Sequence, residues 1–192
     1  QINRALEGSL KRLKTDYVDL YQLHWPERNA NCFGQRGYKH DPEEEWRENF
    51  LEVLQTINDL IDQGKIRYFG LSNETPWGVM RFLQLAQQYD LPRAVSIQNP
   101  YSLLNRTFEV GLAEVAMREH CGLLAYSPLA FGLLSGKYHR GVDQARDRLN
   151  SFKQMSRYNS KQSYEATARY LSIADQHGLS LTQMALAFVN QQ

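Results

Sequence analysis

The sequence has few cysteines, little net charge and no long apolar run. Its 192 residues include two cysteines, Cys32 and Cys121, and carry a formal net charge of +1. Two cysteines without metal-ligand spacing favour free thiols in a reducing cytoplasm over a disulfide framework. The small net charge argues against nucleic acid or an anionic membrane as a partner. No apolar stretch approaches the roughly 20 residues of a membrane span, and no signal peptide is visible.

Two glycine-rich phosphate signatures are also missing. Neither GxGxxG nor GxxxxGK[ST] follows an apolar run, which weakens the open-sheet folds that bind dinucleotides or nucleoside triphosphates through such loops. The chain begins at Gln1 inside one helical pattern and ends at Gln192 just after another. Because neither end resembles a domain boundary, we expect residues 1–192 to be a single domain truncated at both ends.

Apolar spacing predicts alternating helices and strands. Helices are predicted at 2–13, 43–62, 76–89, from 105–107 to about residue 120, 163–176 and 181–190. Strands are predicted at 17–23, 65–71, 94–98 and 123–126, with loops at 27–42 and 127–162. Short apolar runs that alternate with helices are typical of a parallel sheet buried on both faces. The fold class is therefore α/β, either a (β/α)8 barrel or an open doubly wound sheet.

Each predicted strand ends in a small polar cluster. The clusters are His24, Ser72-Asn73, Gln98-Asn99 and Tyr126-Ser127. In a parallel barrel the carboxyl ends of all strands meet at one rim, which is where barrel active sites form. We therefore expect these four clusters to belong to one functional site.

The side chains in these clusters offer hydrogen bonds rather than charge. The amides of Asn73 and Gln98 can complement a carboxamide, which has one acceptor and two donor hydrogens, and Tyr126 offers a flat ring for stacking. The glycine-containing loop from Ser127 offers main-chain donors for phosphate oxygens, and Lys137 a positive charge. This set suits a nicotinamide dinucleotide, although each residue also has an ordinary structural explanation as a turn former, a cap or a core side chain.

Four segments together resemble one family. They are TDYVDLYQLHWP at 15–26, GLSN at 70–73, IQNPYSLLNR at 97–106 and YSPLAFGLLSGKY at 126–138. In this order the segments resemble the aldo-keto reductases, most nearly the branch that holds the bacterial Tas-like reductases and the potassium channel β subunits. The final MALAFVNQQ fits the same branch.

The resemblance implies a (β/α)8 TIM barrel, here a partial barrel covering about strands 4 to 7 and their helices. It implies an NADP(H)-dependent oxidoreductase that reduces aldehyde or ketone carbonyls of small molecules by hydride transfer, with NAD as the alternative cofactor and without a metal. The family's catalytic aspartate, tyrosine and lysine lie on earlier strands. We therefore expect the isolated 192-residue piece to be inactive.

Residue by residue, the resemblance assigns His24 to the substrate carbonyl oxygen. The nicotinamide carboxamide is assigned to Ser72, Asn73 and Gln98, and stacking on its ring to Tyr126. The pyrophosphate is assigned to Ser127, Leu129 and the loop that follows them, and further phosphate contacts to Lys137 and Arg148, although Arg146 competes with Arg148 in the alignment. Trp25 would open a loop over the substrate, together with Phe33 and Tyr38.

Two other functions remain open at this point. One is a cofactor-binding regulatory subunit like the potassium channel β subunits. By resemblance those subunits carry asparagine where this chain has His24, so the histidine favours the reductase. The other is an unrelated barrel lyase or isomerase. The sequence predicts neither the substrate nor the oligomeric state.

Overall fold

The computed structural model describes residues 1–31, 33, 35, 37–141, 148–151 and 156–191, with the backbone alone at 148, 150 and 156. The chain divides into two compact units. Unit 1 comprises Gln1–Asn99 and Gly111–Leu124, and unit 2 comprises Pro100–Val110 and Ala125–Gln192. Within the described ranges, no helix has both the length and the apolar character needed to cross a bilayer.

Unit 1 is built on a parallel sheet in the order β1-β2-β3-β4. Its strands are β1 (Val18–Leu23), β2 (Ile66–Ser72), β3 (Ser96–Gln98) and β4 (Gly122–Leu123). Leu23 of β1 pairs with Leu71 of β2, and Ser72 pairs with Gln98 of β3. All the pairings are parallel, so the carboxyl ends of the strands lie at one edge, as the sequence predicts.

Four helices accompany this sheet: α1 (Ile2–Leu13), α2 (Phe50–Asp62), α3 (Pro76–Gln88) and α4 (Leu112–Arg118). Thr75 caps α3 by accepting a hydrogen bond from the Gly78 N–H, and Pro76 occupies the first helical position, as the sequence predicts. The core of unit 1 is made of fully buried apolar side chains from helices and strands, among them Leu6, Leu54, Ile57, Phe69, Val79 and Ile97. Each such side chain contributes about 1.5–3 kcal/mol by leaving water.

Unit 2 is mostly helical. It contains α5 (Arg148–Ser151), α6 (Lys161–Gln176), α7 (Leu181–Asn190) and short 3-10 helices at Thr107–Val110, Ala130–Ser135, Lys137–His139 and Ser156–Tyr158. Ser160 caps α6, and Ser180 forms a capping box with Gln183 at α7. A cluster of buried side chains forms its core: Ala130, Leu133, Leu134, Leu149, Tyr158, Ala174, Leu181 and Ala185.

The helix predicted over 43–62 is wrong in its first turns, because α2 begins only at Phe50. Trp46 and Phe50 are four residues apart and mimic a helical stripe. Trp46 instead packs edge-on against Phe50 and Trp77 from an irregular segment. Two acidic side chains of this segment have partners outside it, since Glu48 pairs with Arg81 and Glu44 accepts a hydrogen bond from the Asn29 N–H. Tertiary contacts therefore outweigh local helix propensity here.

Further boundaries differ from the sequence prediction, among them the strand predicted at 94–98, which is only Ser96–Gln98. The helix predicted from 105–107 to about 120 is two helices separated by Gly111, which has φ −166° and a position where a Cβ would lie 3.2 Å from Pro76 Cγ. The strand predicted at 123–126 is regular only at Gly122–Leu123, and Tyr126 forms an isolated parallel bridge with Pro100. The segment 127–162, predicted as irregular, contains several short helices and the start of α6.

Candidate functional site

Hydrogen bonds tie together the carboxyl ends of β1, β2 and β3. Asn73 Nδ2 donates to the main-chain oxygen of His24 at 2.8 Å and to Ser72 Oγ at 3.1 Å. Ser72 Oγ donates to the main-chain oxygen of Gln98 at 2.9 Å. The Asn73 N–H donates to the same Gln98 oxygen at 3.0 Å. Four of the site residues predicted from unit 1, His24, Ser72, Asn73 and Gln98, are thus joined in one network.

Asn73 is the centre of this network. It is 5% exposed and has φ 56°, in the left-handed region. Asparagine tolerates this conformation better than most residues because its short amide hydrogen-bonds locally. Its side chain therefore has a structural role in addition to the cofactor role that the sequence predicts.

His24 has an exposed side chain although its main chain is held by Asn73. Its ring lies 4.3 Å from the Trp25 ring and 6.3 Å from the Phe33 ring, measured between centroids. Trp25 and Phe33 also contact each other, at 5.8 Å. Both side chains are more than half exposed. The structure therefore places His24 in an aromatic group formed by the loop after β1, while the substrate role of Trp25 and Phe33 stays a prediction.

Three residues that are neighbours across the sheet lie two positions before His24, Ser72 and Gln98. The register aligns Gln22 with Gly70 and Gly70 with Ser96, two positions before His24, Ser72 and Gln98 along their segments. A Cβ on residue 70 would collide with Ser96 Oγ and lie 3.1 Å from the Ser96 oxygen, so glycine is required where β2 and β3 approach.

Buried polar atoms without partners occur at this end of the sheet. Gln22 Nε2, Ser96 Oγ and Asn99 Oδ1 have no hydrogen-bond partner within the described residues. A buried polar atom left unpaired costs about 1–3 kcal/mol. Asn99 Nδ2, by contrast, donates to the main-chain oxygen of Glu74 at 3.0 Å, which ties the end of β3 to the loop after β2.

A buried ion pair lies in the same two loops. Arg28 Nη1 and Nη2 donate to Glu74 Oε1 and Oε2 at 2.8 and 2.7 Å, and the side chains are 7% and 4% exposed. The sequence reasoning missed this pair. The only signal was the position of each residue close to a strand-end motif, in WPER and SNET, and nothing in that signal distinguishes a buried pair from two solvated charges.

A cavity of about 170 Å³ lies within unit 1 beside His24. Its walls come from α1, α2, α3 and the loops after β1 and β2, and they are mainly apolar. Ile2, Leu23, Phe50, Val53, Leu71 and Phe82 are among the lining residues. Of its three charged members, Arg28 and Glu74 pair with each other, and Glu27 accepts a hydrogen bond from Asn49 Nδ2 at 2.6 Å.

In unit 2, the loop from Ser127 to Lys137 has an unusual backbone. Ser127, Ala130, Phe131 and Gly132 all have positive φ, at 56°, 48°, 57° and 96°. Turns of this kind can direct successive main-chain N–H groups to one side and form a concavity for anions. A Cβ on residue 132 would lie 3.4 Å from Lys137 Cε and 3.7 Å from Nζ, so the lysine side chain packs over the glycine.

Tyr126 is fixed from two directions within unit 2. Its main-chain oxygen accepts a hydrogen bond from the Tyr101 N–H at 3.3 Å. Its hydroxyl accepts one from Arg157 Nη1 at 3.4 Å, and the guanidinium lies 6.0 Å from the ring centroid. Arg157 was not singled out from the sequence. Leu129 is half-buried and packs against the unit 2 core.

Three predictions concern groups that are not described. The backbone of Arg148 begins α5, but its side chain lies outside the description, and Arg146 and Cys32 lie outside the described residues. The assignment of a phosphate contact to Arg148 or Arg146 stays a prediction.

Comparison with known proteins, by family model and by individual relatives, points to one family. A family model described as the aldo/keto reductase family matches residues 1–192. The protein tas of Escherichia coli K12 is 53% identical over 196 residues, covering 100% of this chain and 55% of that protein. An aldo-keto reductase of Babesia bovis is 43% identical over 185 residues, covering 90% of this chain and 65% of that protein.

A more distant relative is the L-glyceraldehyde 3-phosphate reductase of E. coli K12, 29% identical over 190 residues, covering 96% of this chain and 49% of that protein. The chain thus spans between 49% and 65% of the length of these three relatives. The family implies a (β/α)8 barrel, and the parallel four-stranded sheet is consistent with part of one. The chain belongs to the aldo/keto reductase family.

Proposed function

We propose that the full-length protein reduces aldehyde or ketone carbonyls to alcohols by hydride transfer from NADPH. The observation that carries this proposal is the network joining His24, Ser72, Asn73 and Gln98 at the strand ends. The network holds the main chain of His24, whose side chain is exposed, next to the Ser72 hydroxyl and the Asn73 amide in the fold, and groups of these types suit a carboxamide. The proposal is also supported by one E. coli relative, the L-glyceraldehyde 3-phosphate reductase, whose name gives an aldehyde as its substrate.

His24 is the catalytic residue of this chain in the proposal. Addition of hydride to a carbonyl carbon builds negative charge on the oxygen, and an imidazole N–H donor stabilises that charge. Because Asn73 hydrogen-bonds to the His24 main-chain oxygen, the backbone that carries the imidazole is held in place. Trp25 and Phe33 contact the ring, which is itself exposed.

Gln98 and Ser72 fit a nicotinamide carboxamide by their chemistry. Ser72 Oγ donates to Gln98 and accepts from Asn73, and a hydroxyl oxygen has a second lone pair for an amide N–H. The Gln98 side chain is half-buried and supplies both a donor and an acceptor. Asn73 fixes the two of them. When bound, the cofactor supplies the hydride.

Within unit 2 we assign Tyr126 to stacking on the nicotinamide, and Ser127, Leu129 and Lys137 to the phosphates. The supporting observations are the left-handed backbone of the loop and the packing of Lys137 over Gly132. Arg148 remains a proposed second cation. NADP(H) is the proposed cofactor, and NAD(H) is its competitor in the test.

The test is oxidation of NADPH and, in parallel, of NADH by the full-length protein with 4-nitrobenzaldehyde and a panel of other carbonyls. We expect turnover with NADPH that depends on the aldehyde concentration. Tight NADPH binding without turnover of any carbonyl would contradict the proposal and favour a cofactor-binding regulatory subunit.

A further inference from the structure

The Arg28–Glu74 pair makes more hydrogen bonds than a simple two-atom ion pair. Arg28 Nη1 donates to Glu74 Oε1 and Nη2 to Glu74 Oε2, and Nη2 also donates to Thr75 Oγ1 at 3.0 Å. The Thr75 N–H donates to Glu74 Oε2 at 2.7 Å. The guanidinium lies 4.9 Å from the Trp77 ring centroid and 5.4 Å from that of Phe50. The pair is thus held by hydrogen bonds in its plane and by aromatic rings around it.

The first turn of α3 is shaped to receive this pair. A Cβ on Gly78 would collide with Glu74 Oε2 and with Arg28 Nη2. Burial of two charges is costly, and apolar residues of similar volume are often as stable. A buried pair with a glycine kept beside it therefore calls for a reason other than stability.

The position of the pair suggests that reason. Arg28 lies four residues after His24, and Glu74 directly follows Asn73. The hydrogen bond from Asn73 to the His24 oxygen and the ion pair from Arg28 to Glu74 therefore join the same two loops at two points. Two separated contacts fix the orientation of one loop on the other, whereas one contact leaves it free to pivot. The main-chain oxygen of Glu74 in turn accepts a hydrogen bond from Asn99 Nδ2, directly after β3.

We propose that Arg28 and Glu74 are positioning residues that hold the loop carrying His24 in register with the loop carrying Asn73. In this arrangement His24, the proposed donor to the substrate carbonyl, keeps a fixed position relative to Ser72 and Gln98, the proposed carboxamide site. This inference rests on the proposed function, because the register matters only where a carbonyl and a nicotinamide must meet. A misplacement of about 1 Å in such a site costs about 100-fold in rate.

The chain contains a matched control pair. Arg81 and Glu48 also join the segment before α2 to α3, at 2.5 Å, but their side chains are 37% and 40% exposed. Exposed pairs of this kind contribute at most about 1 kcal/mol. Removing them tests the loss of a neighbouring ion pair, between α3 and the end of the connection from β1 to α2, without touching the strand ends.

The experiment compares three variants of the full-length protein with wild type: Arg28→Lys, Arg28→Met with Glu74→Met, and the control Arg81→Met with Glu48→Met. Thermal unfolding, the NADPH dissociation constant and carbonyl turnover are measured. Turnover is expressed per NADPH-binding site, so that unfolded protein does not contribute to the rate.

Arg28→Lys keeps the charge but loses the two-pronged contact, and we expect its turnover per site to fall at least about 10-fold. The double Met variant removes both buried charges together, so its unfolding temperature should stay near that of wild type while its turnover falls as far. The control pair should change turnover less than about 2-fold. A purely structural role predicts lower unfolding temperatures with unchanged turnover per site.

Wild-type turnover per site in Arg28→Lys would overturn the inference, whether or not the double variant folds. Wild-type turnover in a folded double variant would also overturn it. If wild type itself reduces no carbonyl, the proposed function fails, and this inference fails with it. If wild type and the control reduce carbonyls and the two Arg28 variants do so equally well, only the positioning role is lost.

Discussion

The two regions that carry the candidate site residues differ in what fixes their hydrogen-bonding groups, which is side chains in unit 1 and backbone conformation in unit 2. At the strand ends of unit 1, side chains bind main-chain oxygens: Asn73 holds His24, and Ser72 holds Gln98. In the loop of unit 2, the backbone itself adopts left-handed conformations, at Ser127 and through Ala130 to Gly132. In unit 1, side-chain hydrogen bonds fix the direction of individual donor groups. In unit 2, the backbone conformation sets the direction of main-chain N–H groups.

The difference matches the chemistry we assign to each region. A carbonyl oxygen and a carboxamide each need a few donors and acceptors in fixed directions. A phosphate accepts hydrogen bonds over a wide range of directions, and a turn of main-chain N–H groups suits it. Substitutions should therefore act in unit 1 through lost side-chain bonds and in unit 2 through altered backbone.

The largest effect is expected from His24→Ala. Loss of the donor to the developing oxyanion should lower turnover about 100-fold or more, while the NADPH dissociation constant stays nearly unchanged. The measurement is steady-state turnover with 4-nitrobenzaldehyde. His177→Ala is the control, since His177 is exposed at the end of α6 and should have no effect. Turnover of His24→Ala close to that of wild type would remove this residue from the mechanism.

Asn73→Ala should destabilise the fold by about 2–4 kcal/mol. It leaves the His24 oxygen without its donor and forces alanine into a left-handed conformation. NADPH affinity should fall with it. Asn73→Gly relieves only the backbone strain, so it should regain about 1 kcal/mol of stability without regaining affinity. Denaturant unfolding and NADPH titration measure the two effects, and equal stability of the two variants would show that the left-handed backbone costs nothing here.

A smaller effect is expected from Gly132→Ala. Strain at φ 96° should cost about 1 kcal/mol, and the new methyl would press on Lys137. We expect a few-fold loss of NADPH affinity. Gly178→Ala is the matched control, because φ is 65° there and a Cβ meets nothing within 4 Å. It should lose stability alone. Equal NADPH affinity in both variants would argue against a phosphate role for the loop.

The smallest effect is expected at Cys121. Burial raises the pKa of its thiol to about 11, so at pH 8 the thiolate needed for alkylation is scarce. In folded full-length protein, iodoacetamide should leave Cys121 unmodified at pH 8 and label it after unfolding. Peptide mass spectrometry measures this. Rapid labelling of Cys121 in the folded protein would show that unit 1 is more open around β4 than described.

Much of the fold could be predicted from periodic apolar spacing. The helix at 2–13 and the cap at Thr75 are confirmed, and the four strands are parallel as expected. The errors occur where tertiary contacts override local pattern. Trp46 follows a helical spacing but packs from an irregular segment, and Gly111 interrupts a continuous helical pattern next to Pro76.

The candidate site divides in the same way. The closeness of His24, Ser72, Asn73 and Gln98 follows from parallel strands whose ends meet at one edge. The ion pair of Arg28 with Glu74 could not be predicted, because 22 basic and 21 acidic residues allow many pairings and only the folded chain selects one. Left-handed conformations at residues other than glycine, such as those of the unit 2 loop, have no local signal in the sequence either.

The most direct test of the whole account is a crossed measurement on His24→Ala and Lys137→Met in the full-length protein. Turnover per binding site and the NADPH dissociation constant are determined for both. We predict that the first variant loses turnover about 100-fold and keeps its NADPH affinity. The second should lose about 10-fold in NADPH affinity and keep most of its turnover at saturating NADPH. Equal losses of both quantities in both variants would contradict it.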